Sequence, residues 1–123
     1  MRVLAIFITL FAAGFAIAQD QIETDDGIAA QLRALDTLTG AVQDLEIQVG
    51  ETQTYERLTI SVEECRYPKG NPSSDAFALL TITDVREDKA RFDAWMIASS
   101  PALSALEHPR YDVWLLRCKT SEG

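Results

Sequence analysis

Leu58, Ile60 and Val62 alternate with Thr59, Ser61 and Glu63, and this period of two restricts the fold more than any other feature. A helix would scatter the three apolar side chains around its axis, whereas an extended strand puts them on one buried face. The pattern returns where Phe92, Ala94 and Met96 alternate with Arg91, Asp93 and Trp95. Between AFALLTITDV and ARFDAWMIA stands the string Arg86-Glu87-Asp88-Lys89, read as a charged hairpin turn. The stretch YPKGNPSSD, residues 67 to 75, is dense in Pro, Gly, Ser and Asn and reads as an exposed connection.

The stretch from Ile28 to Val49 admits two readings. Ile28, Leu32 and Leu35 have helical spacing, and Gly40 would cap such a helix. In LDTLTG, however, Asp36 can accept backbone N–H groups in a turn and Gly40 can leave it with positive φ, giving a hairpin with Leu45, Ile47 and Val49 on one face. The hairpin is the preferred reading. Ser100 before Pro101 resembles a helix start, and Pro109 would end it, so a short helix is expected near residues 101–107. Tyr111 to Cys118 is apolar on both parities, as in a strand covered on both sides. The expected fold is all-β: a small sandwich or partly open barrel of five to six mostly antiparallel strands with that one helix.

Met1–Ala18 carries Arg2, an apolar run from Val3 and the exit Ala16-Ile17-Ala18, the pattern of a cleavable signal peptide. The acidic flank lacks the basic residues that hold a membrane anchor, so no membrane insertion is expected after cleavage and the periplasm is the expected location. Removing those 18 of 123 residues leaves 105, enough for one domain. Residues 19–27 are read as a disordered acidic lead-in, 28–119 as a single β-domain and 120–123 as a tail. Without Arg2 the chain has 10 basic against 19 acidic side chains, so nucleic acid and anionic lipid are poor partners. Cys65 and Cys118 are expected to form one disulfide, since an exported domain meets oxidants and no CxxC spacing suggests metal or redox work. Alternation from Val62 would turn Cys65 outward, so a bridged Cys65 requires a bulge near Glu63 and Glu64.

The string WMIASSPALSALEHPRYDVWLLRC, residues 95 to 118, resembles the signature of an exported bacterial family known as domain of unknown function 2155, found mainly in alphaproteobacteria. LRALDTLTG, the VGE at 49–51 and LTISVEEC resemble its earlier blocks, so the likeness covers nearly all of the exported chain. Thr37 stands where the family is expected to carry Lys, and Arg57 where it usually has Gly in a turn. The resemblance implies no chemistry. An association of the family's genes with respiratory complex I suggests a structural accessory subunit of an envelope or respiratory complex.

The run Glu107-His108-Pro109-Arg110-Tyr111-Asp112, with Ser99, Ser100 and Ser104 close upstream, forms the densest chemical cluster. A serine hydrolase would use His108 as base and Asp112 as its orienter. No GxSxG elbow accompanies them, and the structural alternative has Ser100 capping a helix while His108 and Glu107 tie its end to the sheet. A single histidine makes structural zinc a poor fit, and no EF-hand spacing is present, so no metal and no cofactor is expected. Trp95, Trp114, Tyr111 and Phe92 could line a groove or belong to the core. The expectation is a non-enzymatic periplasmic binding or accessory protein that engages a protein or envelope partner through Trp95, Ser99, Ser100, Glu107, His108, Tyr111 and Asp112.

Overall fold

A computed structural model describes residues 22–121. The signal-peptide reading of residues 1–18 and the first residues of the lead-in fall outside that span. Eight strands follow in order: β1 (Thr24–Asp26), β2 (Ala29–Asp36), β3 (Val42–Gln48), β4 (Thr52–Tyr55), β5 (Leu58–Pro68), β6 (Phe77–Asp84), β7 (Phe92–Ile97) and β8 (Tyr111–Lys119). They form two antiparallel sheets, one ordered β1-β5-β6-β7 with β4 also on β5, the other β3-β2-β8. The sheets pack as an open sandwich around Leu32, Ile47, Leu58, Ile60, Leu80, Ile82 and Tyr111.

The hairpin reading of residues 28 to 49 holds. Asp36 Oδ1 accepts the Leu38 N–H at 3.0 Å, and Gly40 leaves the turn with φ 77°. The strand count exceeds the expected five to six because β1 and β4 are short and mostly polar, with no apolar alternation to reveal them. β1 corrects the disordered lead-in at its end: Thr24–Asp26 pair with Arg66–Pro68, and Arg66 Nε donates to Thr24 Oγ1 at 2.8 Å.

The helix expected near 101–107 is absent, and residues 101–104 form turns instead. Of that stretch only Leu106 is buried, so a helix there would have almost no apolar face to dock. Ser100, the expected cap, instead donates its N–H to the Ile97 carbonyl in a turn, and its neighbour Ser99 is held by Asp75, which accepts its N–H at 3.0 Å and its hydroxyl at 2.7 Å.

Two bulges decide where the cysteines point. In β5 the register shifts between Val62 and Glu64, so inward Leu58, Ile60 and Val62 give way to inward Cys65. In β8 Gln31 pairs with Arg117 while Leu32 pairs with Leu115, leaving Leu116 as the extra residue and turning Cys118 inward after Tyr111, Val113 and Leu115. Without either bulge one sulfur would face solvent. The bulge in β8 also explains its apolar residues on both parities: Trp114 and Leu116 are half-buried on the outer side. The resulting Cys65–Cys118 disulfide joins β5 of one sheet to β8 of the other.

Gly27 lies against this bridge, and a β-carbon built there would sit 2.7 Å from Cys118 Cβ and 3.2 Å from the Cys65 carbonyl oxygen. Neither neighbour is a flexible side-chain end. We therefore expect Gly27→Ala to destabilise the oxidised protein by about 2 kcal/mol, the usual scale of overpacking, read as a lower urea midpoint at unchanged slope. A midpoint equal to wild type would show that the packing beside the bridge is looser than described.

Candidate functional site

The ends of β2, β4 and β6 meet the starts of β5, β7 and β8 at the pole of the sandwich opposite the disulfide. His108, in the loop before β8, is buried there with a side chain only 1% exposed. Its Nδ1 accepts the backbone N–H groups of Arg110 at 3.0 Å and Tyr111 at 3.2 Å. That nitrogen therefore presents a lone pair, and the ring proton belongs on Nε2, which lies 2.9 Å from Asp84 Oδ2. Asp84 Oδ1 accepts the Arg86 N–H at 2.9 Å.

A second buried carboxylate, Asp36, is held through both oxygens by Arg110, at 3.1 Å from Nε and 2.9 Å from Nη2. Tyr111 sits between these pairs. Its ring meets Tyr55 edge-on with centroids 5.6 Å apart and lies 5.0 Å from the His108 ring. The guanidinium carbons of Arg57 and Arg110 lie 5.5 Å and 5.3 Å from its centroid. Arg57, where a turn glycine was expected, thus reaches back from the β4–β5 turn to cover the ring, although its Nε is buried without a hydrogen-bond partner.

The charges follow the geometry. The Arg86 amide and then the His108 ring hold the Asp84 carboxyl down at about 2 against an ordinary 3.8. The Arg110 hydrogen bond lowers Asp36 despite opposition from burial. Burial, and then the nearby Asp36 charge, raise the Tyr55 hydroxyl. A carboxylate held below its unfolded value contributes stability that is complete above the unfolded value and is lost as pH falls through the folded one. For Asp84 that window runs from about pH 4 down to about pH 2. Urea midpoints of wild type should fall across this window, and Asp84→Asn should fall less steeply. Parallel curves would remove Asp84 from the acid response.

Of the residues expected to form one surface, the structure gathers few. His108 and Tyr111 belong to the interior cluster, and Phe92 is in the core. Ser99 is tied to Asp75, and both His108 nitrogens are engaged, so no serine hydroxyl is paired with the ring. His108 does tie its loop to the sheet, as the structural reading held. Glu107 contributes through its carbonyl, which receives Arg91 Nη1 at 3.5 Å, while its side chain is exposed. Ser100 is half-buried and caps no helix, since its amide donates to the Ile97 carbonyl within a turn. Asp112 is exposed on the outer face of β8 and, with Pro101, Ala105, Leu106, Val113 and Trp114, lines a groove of about 200 Å³. Such a groove is smaller than the roughly 300 Å³ at which small-molecule sites begin.

Trp95 lies elsewhere, on the outer face of the β1-β5-β6-β7 sheet, and is 38% exposed. Opposite it on β6 is Leu79, and beside them Phe77 pairs with Ile97, all three half-buried. The β5 bulge turns both Glu63 and Glu64 onto this face, next to Leu79. Arg66, 3.7 Å from Glu64 and 3.7 Å from Asp26, is the cation that answers them. Asp93, also on this face, accepts the Thr81 hydroxyl at 3.2 Å. Asp36, Asp84, Asp75 and Arg110 were not expected as tied groups, apart from the turn role of Asp36. Their partners lie 24 to 74 residues away in sequence, so no local pattern announces them. Among the described residues no group of three His, Cys, Asp or Glu side chains is placed to hold an ion.

Residues 30–118 match the model of a family described as uncharacterized protein conserved in bacteria (DUF2155). A similar protein, "Uncharacterized protein RP359" of Rickettsia prowazekii (strain Madrid E), is 28% identical over 88 residues, covering 69% of this chain and 57% of that protein. The chain thus spans little more than half the length of this relative. No solved structure matches.

Proposed function

This chain belongs to that family of uncharacterized proteins conserved in bacteria, and on that premise we propose that it is an exported, non-enzymatic binding or accessory protein that engages a protein partner through the sheet face around Trp95. The observation that carries this reading is an exposed tryptophan flanked by Phe77, Leu79 and Ile97 on a face that no element covers among the described residues. A contiguous apolar patch rimmed by polar groups is the usual mark of an interaction surface. The reactive side chains point the same way, because His108, Asp84, Asp36, Arg110 and Ser99 are all taken up by internal ties. Export to the periplasm is supported by the signal-like N-terminus and by a disulfide suited to an oxidising compartment.

The test is a photo-crosslinking residue placed at position 93 on this face or at position 46 on the opposite sheet, activated in intact cells. An adduct of defined mass from position 93 that is absent from position 46 and lost in Trp95→Ser supports the proposal. Equal adducts from both positions would reject this face. Labelling of wild type by a serine-directed probe, abolished in Ser99→Ala, would overturn the non-enzymatic half.

A further inference from the structure

The free edge of β7 adjoins this apolar face, and the hydrogen-bond phase of the strand decides what can dock there. The Ala98 N–H donates to the Ala76 carbonyl, which makes 76 and 98 a hydrogen-bonded pair. By alternation the main-chain groups of Ala94 and Met96 also turn toward β6, across from Leu80 and Ala78. Those of Asp93, Trp95 and Ile97 then point away from the sheet; among the described residues no protein acceptor meets their N–H groups, while the Ile97 carbonyl already takes the Ser100 N–H, so the open stretch ends at the Ile97 amide. The same three residues carry the outward side chains, so one extended occupant would meet main chain and side chains together.

Of the other outer strands, β1 and β4 are only 3 and 4 residues long, and β3 carries charge. On β3 the outward residues include Asp44, tied to Arg33, and Glu46, tied to Gln31 and Lys119, the charged rim by which natural edges resist pairing. Along β8, Pro101, Ala105 and Leu106 form a groove with Val113 and Trp114. On β7 the outward side chains are Asp93, Trp95 and Ile97, and among the described residues no cation pairs with Asp93, which accepts only the Thr81 hydroxyl.

Resting on the proposed binding role of this face, we infer that β7 is a strand-addition site for an extended segment of a partner protein whose every second residue, all on one face, is apolar, with a basic one at the end that meets Asp93. Such a segment would pair its main chain with Asp93, Trp95 and Ile97. Its apolar side chains would extend the Phe77, Leu79, Trp95 and Ile97 block, and its basic one, on the same face, would lie across from Asp93. A second copy of this chain suits the edge less well, since each protomer brings the same excess of 19 acidic over 11 basic residues.

The probe is the capped synthetic hexapeptide Val-Thr-Val-Thr-Lys-Thr, whose valines and lysine share one face, compared with its counterpart carrying glutamate in place of lysine and with a version N-methylated along one edge. Amide exchange and chemical shifts of the oxidised full-length protein are followed by NMR. The lysine peptide should slow exchange at Asp93, Trp95 and Ile97 and weaken with added salt, and the glutamate peptide should do neither. N-methylation should weaken binding roughly tenfold or more, the scale of losing one or two main-chain hydrogen bonds. Asp93→Pro should act similarly, because it deletes an outward N–H and leaves the β6 ladder intact, with Asp93→Asn separating the loss of charge.

No response of these amides to millimolar lysine peptide, or an equal response to both peptides, overturns the inference. So does protection of these amides by concentration-dependent dimerisation of the protein alone. A partner identified by crosslinking from position 93 that binds the Asp93→Pro protein as strongly as wild type would reject strand addition while leaving the binding role of the face intact.

Discussion

Replacing Cys65 and Cys118 together by alanine is expected to lower the melting temperature by roughly 15–30 °C, the largest effect of any change considered for this chain. The bridge spans 53 residues, for which the loss of unfolded-chain entropy alone is on the order of 4 kcal/mol. Its position adds to the effect. β5 and β8 share no ladder, so the bridge cross-links strands of opposite sheets at the pole where the chain also crosses between the sheets through Gly27. Reduction of wild type with a thiol should reproduce the shift. Unequal melting of the reduced protein and the double variant would show that the alanines do more than remove the link.

His108→Ala ranks second, with an expected loss on the order of 3 kcal/mol and a melting temperature lower by roughly 10–20 °C. The substitution removes the acceptor of two backbone N–H groups and the donor to Asp84 in one step, and leaves a void against the Tyr111 ring. Leaving buried donors unsatisfied costs more than the mean value of the bonds they made. The role is structural, so below its melting temperature His108→Ala should still give the adduct from position 93. Lost crosslinking in a folded His108→Ala protein would return His108 to the binding surface.

These two tethers close the sandwich at opposite poles, and they were unequally legible in the sequence. The alternation of Leu58, Ile60 and Val62 was enough to place β5, and the odd separation of Cys65 from that series demanded the bulge at Glu63 and Glu64. The matching bulge at Leu116 escaped notice because β8 is apolar on both parities, which masks a change of phase. β1 and β4 were invisible because what holds them is the neighbouring β5 ladder, and TDD and TQTY carry no pattern of their own. The helix expected near 101–107 rested on the local capping chemistry of Ser100, which could not outweigh a stretch with only Leu106 to bury, and Ser100 joins a turn on the Ile97 carbonyl instead.

The candidate site was legible in Trp95 and misplaced in most of its companions. His108 and Tyr111 are close to Ser99 and Glu107 in sequence, yet the chain turns inward after Glu107 to reach Asp84. That partner is fixed by the register of β6 and β7, a tertiary fact with no local sign. Phe77 and Leu79, which complete the patch, lie in AFALLTITDV, an apolar run whose pattern does not tell one face from the other. Their exposure follows from the inward phase of Ala76, Ala78, Leu80 and Ile82 and from the position of β7 at the edge of its sheet.

The most direct measurement is residue-by-residue amide hydrogen exchange along β7 in the isolated, oxidised, monomeric protein. An open edge beside a closed sandwich requires alternation: rapid exchange at Asp93 and Trp95, and strong protection at Ala94 and Met96. Equal protection at all four amides would mean that the edge is already covered, and would contradict the account.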